Sequence, residues 1–183
     1  MMSAEHDAGR DGEDHAARQL NVLLKDSLMK ITTRLASQQD YQWLYDLKIA
    51  SMRTYVEAVY GWDDAVQKDF FDKDFCPEVI NIVTVDGLDA GMFELERNDN
   101  WIFLKRIEIH PLFQTRGIGS TIIQRIIAEA VANGKSFWLM VFKINPAKKL
   151  YERLGFTITE ETETHYKMLW QNHFLQPTRF PRG

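Results

Sequence analysis

Apolar and polar positions follow two different periods along this chain, and the switches between them mark its elements. Residues 30–36 read as a first strand. Leu44, Leu47, Ile49, Met52, Val56 and Val59 then recur at a mostly helical spacing. That predicts a helix from Asp40, as N-cap, to about Tyr60, ended by Gly61. Asp63 or Asp64 starts a second helix through about Phe75, and Pro77 closes the region. Residues 79–85 are β-rich, and Asp86-Gly87 is a hairpin signal leading to a strand at 90–97. A turn over 97–100 leads to a long strand at 101–110. Ile118, Ile122, Ile126 and Ala130 repeat at steps of four, widened by Ile123, Ile127 and Val131, which predicts an amphipathic helix over 117–133. Gly134 suits its C′ position. A strand at 136–142, a short helix at 146–154 stopped by Gly155, and closing strands at 156–160 and 165–170 complete the order. The sequence β, α, α, β, β, β, α, β, α, β, β predicts a mixed α/β protein with antiparallel hairpins and two crossover helices.

The ends differ from this body. Residues 1–19 hold no large apolar side chain after Met1 and Met2, which fits a disordered segment. Residues 20–29 could form a short helix, or Met29 could be the natural start; the sequence leaves both open. The expected ordered domain is 30–172, with 1–29 an acidic tail or short helix. Residues 173–183, with Pro177 and Pro181, are expected to be a loose tail.

Composition narrows the class. A hydrophobic content of 45% with 12% aromatic residues fits a soluble globular protein. No apolar run approaches the ~20 residues needed to span a bilayer, and no apolar h-region marks a secretory signal. Cys76 stands alone, which excludes a disulfide framework or a cysteine metal cluster. The cytoplasm is therefore the expected compartment. Of the net charge of −4, residues 1–29 carry six acids against three bases, leaving a nearly neutral body. That balance argues against nucleic acid as a partner. His6 and His15 lie where no periodic structure holds them together, so no metal site is expected.

The stretch Gln114-Thr115-Arg116-Gly117-Ile118-Gly119-Ser120 sits between a predicted strand and a predicted helix. Gly117 and Gly119 allow close backbone approach and unusual φ values. Unpaired amides at the helix start carry the positive end of its dipole, a pairing that suits phosphate. Arg116 adds a charged donor and Ser120 a hydroxyl. Ile122 stands where a dinucleotide fingerprint needs its third glycine, and the Gly-Lys-Ser/Thr of a P-loop is absent. Read alone, such a heptapeptide is most often a structural turn.

A second block, Asn145-Pro-Ala-Lys-Lys-Leu-Tyr151-Glu-Arg-Leu-Gly155-Phe156, changes that weighing. Residues 107–120 resemble motif A of the GNAT superfamily of N-acetyltransferases, with its Gln/Arg-x-x-Gly-x-Gly/Ala signature. Residues 145–156 resemble its motif B. The resemblance covers about residues 30–170 and implies a mostly antiparallel sheet, splayed between its fourth and fifth strands, with helices on both faces. It implies acetyl-CoA as acyl donor and an amine on a small molecule or peptide as acceptor. A homodimer is a further possibility, because many relatives pair through C-terminal strands. Residue by residue, it implies that the backbone of Ile107 to Ile109 holds the pantetheine arm and that amides of Thr115 to Ser120 hold the pyrophosphate. Asn145 would lie near the pantetheine or order a water. Asn145 and Tyr151 are six positions apart, where many members have seven.

Amine acetylation needs a base for the ammonium, a donor for the departing thiolate and a donor for the oxyanion. The resemblance makes Tyr151 the thiolate donor, although Ala147, Leu150, Tyr151 and Leu154 also make an ordinary core-edge stripe. Glu108 is the leading base candidate, since alternation sets it opposite Ile107 and Ile109; the competing reading is a solvated residue or one paired with Arg106. The amide of Ile109 is the oxyanion candidate. His110 before Pro111 reads more simply as loop. Glu94 and Glu96 share a strand face and are expected to meet solvent. Lys143, Lys148, Lys149 and Arg153 could meet a 3′-phosphate but read first as a solvated face. Competing functions are a non-catalytic acyl-CoA-binding module, and the same fold using another acyl-CoA.

Overall fold

A computed structural model describes residues 29–171 of the chain. Seven strands form one sheet: β1 (Ile31–Leu35), β2 (Ile80–Val85), β3 (Leu88–Arg97), β4 (Trp101–Ile109), β5 (Ser136–Phe142), β6 (Thr157–Glu161) and β7 (His165–Trp170). Their spatial order is β1-β2-β3-β4-β5-β7-β6. Only the β4–β5 pair is parallel. The helices are α1 (Tyr41–Tyr60), α2 (Asp64–Asp74), α3 (Ile118–Ala132) and α4 (Ala147–Arg153). The expected tails fall outside the described residues, except Met29, which packs against the core. Among the described residues no helix is long and apolar enough to cross a membrane.

The helices cover both faces of the sheet. Leu44, Leu47 and Phe71 of α1 and α2 bury Ile80, Ile82 and Met92 on one face. The isoleucine stripe of α3 packs on Val83, Phe93, Leu95, Ile102, Leu104, Phe137 and Leu139 on the other. The Asp86-Gly87 turn has φ of 51° and 84° at its two central residues, the mirror-image geometry that suits a two-residue hairpin.

Asp40 occupies the expected N-cap position of α1, but its side chain makes no capping bond to the helix. Its carboxylate accepts from the Ser37 amide (2.8 Å) and from Arg34 (2.7 and 2.9 Å) instead of capping α1. These bonds hold its carboxyl well below the usual range, chiefly through Arg34. Arg34 also reaches Asp89 at 2.8 Å, so one guanidinium ties β1, the start of α1 and β3. For α2 the cap is Asp63, whose Oδ1 accepts from the Val66 amide at 2.9 Å.

The feature that makes the site is a split in the sheet. β4 and β5 pair only from Trp101/Ser136 to Leu104/Leu139. The next residue, Lys105, is the extra residue of a bulge in β4, because Glu94 pairs with Arg106 but Leu95 with Leu104. A bulge bends its strand and increases its twist. Here it turns residues 106–109 away from β5, which stays paired with β7 as far as Phe142. Two consecutive basic residues, Lys105 and Arg106, thereby reach the same acids. Lys105 meets Glu94 and Asp74 at 2.9 Å each, and Arg106 meets them at 2.5 and 3.3 Å. Glu94, expected in solvent, is therefore a buried anchor only 3% exposed, while Glu96 does face water.

Candidate active site

The split opens two cavities. The first, of about 490 Å³, runs from α1 past β4 to the amide turn and α4. The second, of about 420 Å³, lies between α1 and the β4 and β5 surfaces on the α1 side. Both are lined by Met52, Ile107, Glu108, Asn145 and Tyr151, so these five residues form the wall where the cavities meet.

Peptide orientation along β4 follows from its register. The His110 amide donates to the Ala90 carbonyl at 2.9 Å, and Met92 faces Glu108. Peptide groups in a strand alternate sides, so those of Ile107 and Ile109 point away from β3 into the split. Gln114 fixes one of them: its Nε2 donates to the Ile109 carbonyl at 2.8 Å. The Ile109 amide is left facing the cleft.

The turn after β4 delivers a row of donors. Thr115 has φ of 61° and Gly117 φ of 79°, and α3 begins at the next residue. Among the described residues the amides of Thr115 through Ser120 donate to no backbone carbonyl; the first helical bond is Thr121 to Gly117 at 2.9 Å. The left-handed φ makes glycine the natural residue at 117. Gly119 serves differently, since an added Cβ there would meet only Leu150 Cδ2, at an ordinary 3.7 Å. Gln114, Thr115, Gly117, Ile118, Gly119 and Ser120 all line the first cavity. Arg116 does not: it is exposed, with its guanidinium 5.5 Å from the Phe113 ring centroid.

Glu108 is 7% exposed and points to the α1 side, where the Ser51 hydroxyl lies 2.8 Å from its Oε2. Burial raises its pKa above the ordinary carboxylate value, opposed by the Ser51 bond and the charges of Arg106 and Lys48. Ser51 Oγ is also 2.7 Å from the Leu47 carbonyl. A hydroxyl has one proton for two acceptors. Ionised Glu108 takes that proton; protonated Glu108 donates its own to Ser51, whose hydrogen turns to Leu47. The carboxyl thus keeps a hydrogen bond in both charge states. The competing reading, a pair with Arg106, is not seen, because Glu94 and Asp74 hold that guanidinium.

Tyr151 is carried by α4 and is 5% exposed, its ring edge-on to Phe156 at 5.8 Å. Burial pushes its pKa up to about 12, so it is protonated at neutral pH. Its hydroxyl makes no hydrogen bond among the described residues, yet no buried polar side-chain atom is left unpaired there. The hydroxyl therefore opens into the cavity as an uncommitted donor. Asn145 sets the helix that carries it: its Oδ1 accepts from the Ala147 amide at 2.9 Å.

Other candidates fall outside this group. His110 lines neither cavity, and its Nδ1 accepts from the Leu112 amide at 3.3 Å. Lys143 pairs with Glu161 and Lys148 with Glu152, while Arg153 lines the first cavity. No group of three potential metal ligands exists among the described residues. Sequence patterns alone missed Ser51 and Lys48, both on the inward face of α1, and Gly91. A Cβ on Gly91 would overlap the Glu108 carbonyl oxygen and stand 2.7 Å from Ile109 Cδ1. Gly91→Ala is thus expected to force β3 and β4 apart beside Glu108. The cost should be about 1–3 kcal/mol, read as a lower denaturation midpoint.

Residues 77–158 match the family model of the acetyltransferase (GNAT) domain. A comparison with curated proteins found no match. Among solved structures, PaiA N-acetyltransferase from Thermoplasma acidophilum in complex with coenzyme A aligns with a TM-score of 0.65 at 16% identity, covering 78% of this chain and 99% of that one. The ribosomal-protein-S18-alanine N-acetyltransferase from Escherichia coli aligns at 0.59 and 19%, covering 82% and 99%. Arabidopsis thaliana Naa50, in complex with the bisubstrate analogue CoA-Ac-MVNAL, aligns at 0.54 and 14%, covering 78% and 99%. At these identities the three establish a shared fold. The family match takes in the β4 bulge, the amide turn, Asn145 and Tyr151, so residues 77–158 are similar to the acetyltransferase (GNAT) domain, and the solved structures extend the likeness of fold over most of the chain.

Proposed function

We propose that the chain moves an acetyl group from acetyl-CoA to a primary amine by direct transfer, with donor and acceptor bound together. The carrying observation is the shared wall: Glu108 and Tyr151 stand where two cavities meet, and only one of those cavities leads to the amide turn. Acetyl-CoA enters from the turn side. Amides of Thr115 to Ser120 take the pyrophosphate, and the Ile107 and Ile109 peptides hold the pantetheine along the open edge of β4. The Ile109 amide stabilises the oxyanion. The amine arrives through the α1-side cavity. Glu108 takes its proton, directly or through a water, and Tyr151 donates to the leaving sulfur. The solved neighbours support this reading: two are N-acetyltransferases by name, one holds coenzyme A and another a CoA–peptide conjugate.

The direct test is acetyl-CoA-dependent thiol release over a broad panel of amines and peptides. Release with one chemical class supports transfer. Binding of acetyl-CoA without release above the water background would favour a non-catalytic acyl-CoA-binding module, and faster release from a longer acyl-CoA would reassign the donor.

Gly119 separates donor binding from folding. Its alanine variant meets no protein obstacle, and alanine is the better helix former. Its methyl instead occupies the space a phosphate needs beside the amides. Gly119→Ala is expected to keep or raise the melting temperature while raising the KM for acetyl-CoA roughly tenfold. An unchanged KM would place the pyrophosphate elsewhere.

A further inference from the structure

The α1-side cavity has a charge pattern that narrows the acceptor. Its charged or titratable lining residues are Lys48, Lys105, Arg106, Glu108, Tyr151 and His165, and the buried Tyr151 phenol stays neutral. Lys105 and Arg106 are already neutralised by Glu94 and Asp74. Among the described residues Lys48 has no carboxylate within 4 Å. Among the described residues its ammonium donates only to the Gln67 carbonyl, at 3.1 Å, and it lies 5.8 Å from the Phe71 ring centroid. An ammonium has three protons to give, so at least one remains for a ligand. His165 adds no negative charge: its Nδ1 is 2.7 Å from Thr164 Oγ1, and its ring packs on Phe142 with centroids 4.1 Å apart. Among the described residues Glu108 is the single carboxylate of the lining, and the proposed reaction delivers a proton to it.

A partly buried cation without a counter-charge is costly unless something anionic reaches it. A second ammonium on the acceptor would instead meet the like charge of Lys48. Lys48 and Ser51 are one turn apart on α1, about 5–6 Å between Cβ atoms, and Ser51 touches Glu108. The charges of Lys48 and Glu108 act on each other and both residues line one cavity, so the anion anchor and the base face the same space.

Resting on the acetyltransferase reading above, we propose that the α1-side cavity takes an amine that also carries a carboxylate a few bonds away, held by Lys48. An α-amino acid and the N-terminal residue of a peptide beginning with Asp or Glu share that chemistry. The transferred acetyl forms the new C–N bond as the thioester C–S bond breaks. The ammonium proton leaves through Glu108, and the carboxylate on Lys48 stays chemically unchanged.

Thiol release is measured with L-aspartate, L-alanine, L-alaninamide, a pentapeptide beginning with Asp, its Asn counterpart, and spermidine. Acceptor binding to the CoA-loaded protein is measured by calorimetry in parallel. The wild type is expected to favour carboxylated acceptors over uncharged counterparts by ten- to a hundredfold in kcat/KM. Lys48→Met should abolish that preference while leaving CoA affinity unchanged, and Lys48→Arg should retain it. The free amino acids against the Asp peptide separate the two sources. Preference for spermidine or alaninamide, or an equal loss for every acceptor in Lys48→Met, would overturn the carboxylate anchor and leave the acetyltransferase reading standing. Carboxylate binding that depends on Lys48 but gives no turnover would support the anchor and sink the transferase reading. Equal calorimetric binding of charged and uncharged acceptors, or none at all, would overturn the anchor.

Discussion

Glu108→Gln is expected to lower kcat/KM for the amine by two to four orders of magnitude, the usual range for losing a positioned general base. Its acetyl-CoA affinity should stay close to wild type, because the amide turn is untouched. The pH profile carries the sharper test. A base must be ionised to act, and burial holds the Glu108 pKa above its ordinary value. The wild-type rate should therefore rise with pH along an acidic limb displaced upward from the ordinary carboxylate range, and the Gln variant should lack that limb. Ser51→Ala removes a bond that favours the carboxylate, so its limb should move to still higher pH. Stability should change in the opposite sense to activity. A carboxyl whose folded pKa is raised supports the fold fully below its unfolded pKa of about 4.3 and withdraws that support as pH rises through the folded value. Gln ionises at no pH and can still bond Ser51. The variant should thus match or exceed the wild-type melting temperature near pH 8. A loss smaller than tenfold, or a limb that survives in Glu108→Gln, would move the base elsewhere.

The fold was readable because its cues are local. The isoleucine steps of α3, the β-rich 79–85 run and the Asp86-Gly87 turn each specify an element without help from distant residues, and the element order names a mixed sheet. The amide turn was readable for the same reason, since glycines and a helix start are adjacent in sequence. The residues that tune the chemistry were harder. Lys48 and Ser51 follow Leu44 and Leu47 on the buried stripe of α1, and polar residues on such a stripe are a signal. Their partners, however, lie on β4 and in the cavity, known only after packing. Gly91 in mid-strand hints at close backbone approach without saying to what. Glu94 shares a strand face with buried Met92, but its burial depends on a bulge that brings Lys105 and Arg106 to it together. Nothing local to residues 104–106 announces that bulge, so the resemblance carried the expectation of a splay whose cause only the register reveals.

Tyr151→Phe is the second large effect, and the environment of the ring makes the substitution clean. Phe keeps the packing on Phe156, and the lost hydroxyl leaves no protein group without its partner. Stability should stay within about 0.5 kcal/mol of wild type, while kcat falls about a hundredfold with KM for acetyl-CoA little changed. The size of the loss should depend on the leaving group. A phenol held at about 12 is a weak acid beside a thiol of about 8.5, and complete transfer across that gap would cost about 5 kcal/mol. Tyr151 therefore acts chiefly by hydrogen bonding to charge that develops on sulfur, with transfer completed only as the buried thiolate grows more basic than it is in water. A donor thioester with a more acidic thiol needs that bond less. Comparing acetyl-CoA with such a donor, the Phe variant should lose less rate on the acidic thiol. It should also show no new alkaline limb, because the wild-type tyrosine stays protonated throughout the assay range. Equal losses on both donors would place Tyr151 in the shape of the cavity instead of at the sulfur, and retention of more than half the wild-type rate would reduce it to a core-edge residue of α4.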